Sequence, residues 1–109
     1  MARDPGLEEL LRNDLAEVRG LTEKPMFGGL AWLLHGNLLC GARAGSLLIR
    51  LGKDKDAWAL KHEGMERMTM QGRPMSGWLR AGQAAFADDA LRARLLKAAL
   101  EFNRTLPKK

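Results

Sequence analysis

Between Met26 and Leu34 the chain places apolar side chains on both sides of a strand: Met26, Leu30, Trp32 and Leu34 face one way, and Phe27, Ala31 and Leu33 the other. A strand of this kind needs cover on both faces. The remaining sequence offers helices for one face only, so the second is expected to be covered by another subunit or a ligand. The same run falls far short of the ~20 apolar residues that cross a bilayer, so no membrane span is expected.

Around that strand the chain reads as one domain over residues 1–109, since a chain of this length closes around a single core and shows neither linker nor repeat. Asp4 as N-cap and Pro5 at the first helical position open a helix that puts Leu7, Leu10, Leu11, Leu15 and Val18 on one side, and Gly20 stops it. From Met26 to Leu51, short apolar runs broken at His35-Gly36-Asn37 and Ala44-Gly45 predict a three-stranded antiparallel meander. In its third strand Leu47, Ile49 and Leu51 form an apolar face, while Ser46, Leu48 and Arg50 form a mixed one. A short helix capped by Asp54 is expected to carry Ala57, Trp58 and Leu60 and to end near Gly64. Residues 67–71 and 75–81 read as two further strands flanking a Gly72-Arg73-Pro74 turn. The last helix starts at Asp88, presents Leu91, Leu95, Ala98 and Phe102 to the core, and is closed by Pro107. The sum is an α+β fold with a central antiparallel sheet of about five strands flanked by helices, in the order α-β-β-β-α-β-β-α.

Charge is distributed unevenly. Residues 1–91 hold 12 Lys/Arg and 12 Asp/Glu, so the net charge of +5 sits wholly on residues 92–109. On the last helix Arg94, Lys97, Glu101 and Arg104 recur at helical spacing, with Lys108 and Lys109 just beyond. This face has two readings: weak, nonspecific, salt-dependent nucleic-acid binding, or a solvated face whose cations complement the helix dipole. No aromatic residue is interleaved for base stacking. Arg3 is followed by Asp4, Pro5, Glu8 and Glu9 where a secretory signal needs an apolar stretch, and Cys40 is the only cysteine. Both features point to the cytoplasm.

Little in the sequence is arranged for catalysis. The soft metal ligands are Cys40, His35 and His62, too few for a zinc site, so no metal and no cofactor is expected. His35 and Cys40 fall on one expected hairpin and admit two readings, a meeting that makes an activated thiolate or a turn histidine and an inert buried thiol. Carboxylate pairs at Glu8/Glu9, Asp54/Asp56 and Asp88/Asp89 fall where helices begin and need no catalytic explanation. Gly28-Gly29 enters a strand instead of a helix, which suits a bulge or a close backbone approach and not a phosphate loop. Met65, Met68, Met70 and Met75 either line an adaptable binding groove or fill core space.

Two segments, Lys24-Pro25-Met26-Phe27-Gly28-Gly29-Leu30-Ala31-Trp32 and Gly72-Arg73-Pro74-Met75-Ser76-Gly77-Trp78, together resemble the TfoX/Sxy N-terminal domain, as does the closing Asn103-Arg104-Thr105-Leu106-Pro107. The resemblance spans residues 7–107 and implies a secretion-chaperone-like α+β fold, often dimeric, without catalytic residues. It assigns the signature to Met26, Phe27, Gly28, Gly29, Gly72, Arg73, Pro74, Met75, Gly77 and Trp78. Met70 stands where many relatives carry an aromatic residue. In better-studied members the full-length protein regulates natural competence together with the cyclic-AMP receptor protein. This sequence stops where those regulators continue into a second helical domain, so the competence role does not transfer directly. The expectation is therefore a homodimeric binding or regulatory module with a protein partner. Within the signature Arg73 has two roles open to it, aimed at an anionic partner or bonded to backbone carbonyls.

Overall fold

The computed structural model describes residues 4–26 and 28–108. Phe27 and Lys109, both singled out above, lie outside the described residues. The chain runs α1 (Pro5–Asp14), β1 (Leu21–Met26), β2 (Gly29–Leu34), β3 (Asn37–Arg43), β4 (Ser46–Arg50), α2 (Ala57–Leu60), β5 (Met65–Met70), β6 (Arg73–Ala81), α3 (Gln83–Phe86) and α4 (Asp89–Asn103). One antiparallel sheet has the order β1-β2-β3-β4-β6-β5. The helices pack on one face of it.

The expected α+β architecture is present, with six strands in place of five and one extra helix. The added strand, β1, is mostly exposed Leu-Thr-Glu-Lys-Pro-Met on the sheet edge, where Pro25 costs no ladder bond. It carries no apolar alternation to announce it. The added helix, α3, is four residues long and buries Ala85 and Phe86.

The core lies between helices and sheet. Trp32, Cys40, Ile49 and Leu79 form one row across β2, β3, β4 and β6. All four are buried, and Leu7, Leu11, Leu95 and Ala99 cover the same cluster from α1 and α4. The Trp32 indole N–H donates to Glu23, which also pairs with Arg12.

Helix termini follow local chemistry except where a tertiary partner intervenes. Asp4 and Asp88 cap α1 and α4 by accepting from Leu7 and Leu91 N–H. Asp54 does not cap α2; it sits at φ +65°, and its N–H donates to the Ser76 hydroxyl. Asp56 occupies the cap position, but its carboxylate is turned to other partners. The buried face of α4 is Leu91, Arg92, Leu95, Leu96, Ala99 and Asn103, rotated from the expected stripe so that Ala98 and Phe102 stand at its margin. Arg92 is tolerated there because it pairs with Asp14 at 2.6 Å and Asp89 at 2.9 Å and donates to the Phe86 carbonyl.

The closing Asn103–Pro107 segment is structural. Asn103 donates to the carbonyls of Asn37 and Leu38, and Asn37 donates to the Pro107 carbonyl at 2.8 Å. These bonds tie the end of α4 to the start of β3.

Among the described residues, the outside cover expected for β2 is needed at Leu33 and not at Ala31. Ala31, on the face away from the helices, is fully buried within the chain, and Leu33 is half-buried. The open apolar surface lies farther across the sheet.

Candidate functional site

Strand register fixes what the helix-free face presents. Ala31, Gly41, Leu48 and Arg80 stand side by side on β2, β3, β4 and β6. Each is the alternate neighbour of a core residue, so each belongs to the opposite face. Arg50 and Trp78 form the next pair along. On β5 the register slips between Arg67 and Thr69, and on β6 Gly77 takes φ +85°. Such irregularities re-aim side chains, and Met68 and Met75 join Leu48 and Trp78 around a cavity of about 300 Å³. Arg43, Ser46 and Arg80 complete its lining.

A shallow depression lined by Met26, Ala31, Gly41, Arg43 and Leu48 adjoins this cavity and shares Arg43 and Leu48 with it. The two signature segments, remote in sequence, thus meet on one open face: Met26 at one end, Met75 and Trp78 at the other.

Cations outnumber carboxylates around the cavity. Arg43 and Arg80 are exposed, and neither forms an ion pair or side-chain hydrogen bond among the described residues. Arg50 lies between two rings, 4.8 Å from the Trp78 centroid and 5.2 Å from that of Phe102. Burial lowers the Arg50 pKa, although a guanidinium stays charged throughout the working range. Glu66, opposite Arg80 on β5, is the carboxylate nearest in register.

Three of the other signature residues, Gly29, Gly72 and Gly77, hold the backbone in shape. A Cβ on Gly29 would lie 2.1 Å from the Ala42 carbonyl oxygen, so bare backbone is needed where β2 and β3 meet. Gly77 donates its N–H to Asp56 at 3.0 Å and accepts from Leu51 at 2.7 Å. Asp56 also takes a bidentate pair from Arg67 at 3.1 and 3.2 Å. Burial works to raise the Asp56 pKa, but the bonds from Arg67 and Gly77 outweigh it and hold the carboxyl below its ordinary range. The turn between β5 and β6 is Gln71-Gly72, both at positive φ, one residue earlier than expected. Arg73 and Pro74 already pair in the ladder with Met70 and Thr69. The Arg73 side chain is exposed and, among the described residues, bonds to no carbonyl. Gly28 is exposed beside β2.

The thiol alternative is contradicted. Cys40 is fully buried against the core, and burial, aided by Asp14, drives its pKa far above the range of a reactive thiol. His35 is exposed in the turn at φ +52°, its ring over Gly20. His62 meets the Trp58 ring edge-on at 6.3 Å.

The basic face of α4 is divided. Arg94 stacks on Trp58, 4.0 Å from its centroid. Lys97 and Arg104 flank a separate groove together with Asp14 and Glu101, so cations and carboxylates alternate there, and Lys108 is exposed beyond the helix. Among the described residues no helix is long and apolar enough to cross a membrane.

The arginines of the groove were not legible as a site. Arg43 and Arg80 are single cations in alternating strands, and only the register brings them together. The one available signal was the mixed Ser46, Leu48, Arg50 face of β4.

Residues 13–103 match the family model of the TfoX N-terminal domain. No curated protein and no solved structure matches the chain.

Proposed function

The chain belongs to the TfoX N-terminal domain family, and from that premise we propose that it is a non-enzymatic binding and regulatory module of the cytoplasm that engages a protein partner through the helix-free face of its sheet. The observation that carries this reading is the largely apolar surface cavity lined by Met75 and Trp78 of the second signature segment, beside a depression that reaches Met26 of the first. Signature residues in the core need no partner to explain them, but Met75 and Trp78 line a surface cavity. Methionines suit such a role because their unbranched side chains repack around different occupants.

The proposal includes a homodimer. Its support is the half-buried Leu33 and Leu38, which pair with each other in register toward the far end of the same sheet. The competence control exercised by full-length members of the family belongs to those proteins; for this chain the proposed role is regulation through a protein partner.

Light scattering on the purified chain should give twice the chain mass, and the immobilised chain should retain a partner from its own organism's extract. A Met68→Glu variant should keep its fold and retain at least about tenfold less, because a carboxylate in an apolar groove must be desolvated. A strict monomer that retains nothing, or equal retention by the variant, would contradict the reading.

A further inference from the structure

The groove has a definite polarity. Its floor and walls, Leu48, Met68, Met75 and Trp78, are apolar, while its rim holds Arg43 and Arg80, neither in an ion pair among the described residues, with Glu66 opposite Arg80 in register as the neighbouring carboxylate. Two unpaired guanidiniums beside an apolar surface attract an occupant that brings carboxylates and hydrocarbon together.

Three kinds of occupant compete, and the geometry separates them. A second copy seated on the same groove would face it across a two-fold axis and bring Arg43 and Arg80 near their own counterparts, a like-charge contact. A single strand held by base stacking needs open aromatic planes, but Trp78 is the only aromatic side chain in the lining and Arg50 already lies over its ring, and two arginines alone make few phosphate contacts. Leu48, Met68 and Met75 offer no stacking plane. A small anion fits the 300 Å³ cavity, but the face continues across Gly41 to Ala31 and spans three inter-strand spacings from β2 to β6, about 14 Å. A peptide segment fills that length.

We propose that the groove receives an acidic, apolar peptide segment of a partner protein, its hydrophobic side chains on Leu48, Met68, Met75 and Trp78 and its carboxylates on Arg43 and Arg80. The proposal rests on the binding-module reading and names the chemistry of the partner. An apolar groove on a helix-free sheet face can receive an amphipathic segment whose apolar side faces the sheet. Here the rim adds a demand for negative charge.

The test uses fluorescein-labelled amphipathic peptides of about sixteen residues, long enough for four helical turns, one set built from Leu and Glu and a matched set from Leu and Lys. Fluorescence anisotropy with the full chain should show binding of the Leu/Glu peptide that weakens as salt rises, and none of the Leu/Lys peptide. The double variant Arg43→Gln/Arg80→Gln should bind at least tenfold more weakly with an unchanged melting curve, whereas Arg43→Lys/Arg80→Lys should recover most of the affinity. Both substituted sites are exposed, so the fold is not at stake. Equal binding of the two peptides, no binding of the Leu/Glu peptide, or no change in the Gln variant would overturn the proposal. So would a labelled single-stranded oligonucleotide that binds more tightly and loses binding in the Gln variant. Should the Leu/Glu peptide fail while retention of a partner from extract stays sensitive to Met68→Glu, the acidic-segment inference falls and the binding-module reading stands. Failure of both removes both.

Discussion

Urea unfolding of an Asp56→Ala variant should show a loss of about 3 kcal/mol, the low end of what breaking a buried ion pair costs. Asp56 is 2% exposed and accepts three hydrogen bonds, two from Arg67 and one from the Gly77 N–H. Truncation leaves that N–H buried without an acceptor, which alone costs about 1–3 kcal/mol. The low end applies because the Arg67 side chain is 38% exposed and turns to water once its partner is gone. The pH dependence has a definite sign. The folded-state pKa of Asp56 is depressed, so its contribution is complete above the unfolded value of about 3.9 and is lost as pH falls through the folded value. The gap between parent and variant should therefore hold through neutral pH and narrow in acid. A gap unchanged at the lowest pH at which both proteins fold would show that the ionised carboxylate is not the source.

Gly77→Ala should be worse, at about 4 kcal/mol, or should abolish folding. Gly77 sits at φ +85°, where a side chain costs about 1–2 kcal/mol. The new methyl would also stand 2.3 Å from the Gly52 carbonyl carbon and 2.7 Å from the Lys53 nitrogen, both backbone atoms that no rotamer change can clear. Relief requires β6 to move from the segment after β4, and with it the bonds to Leu51 and Asp56. Gly72→Asn is the matching control: φ is +80° there too, but no atom lies within 4 Å of the added Cβ. Asn tolerates that conformation, so the cost should stay below about 1 kcal/mol. Similar losses for the two variants would mean that backbone conformation, and not the contact with Gly52, sets the requirement at position 77. Because Asp56 and Gly77 touch, their double variant should lose less than the sum of the two.

Elements that depend on local chemistry were legible in the sequence. Asp88 and the apolar residues after it specify the start of α4, and paired turns at His35-Gly36 and Ala44-Gly45 delimit β2, β3 and β4. Elements that depend on partners elsewhere were not. Strand β1 is exposed and polar, so only pairing with β2 makes it a strand. The cap of α2 was expected at Asp54, but Asp56 takes that position, and Arg67 and Gly77 claim its carboxylate. The stripe on α4 was displaced because Arg92 and Asn103, polar residues that pattern reasoning assigns to solvent, are buried by bonds to Asp14 and to the start of β3. The groove shows the same limit. Met75 and Trp78 stood out as signature residues, and the opposite wall appears only once β6 is placed beside β4.

The central claim is that Met75 belongs to a surface used for binding and not to the core. Stability and affinity for the Leu/Glu peptide, measured on one Met75→Glu protein, test it most directly. The account predicts unfolding free energy within about 0.5 kcal/mol of the parent and affinity reduced at least tenfold. A loss of several kcal/mol, or affinity equal to that of the parent, would contradict it.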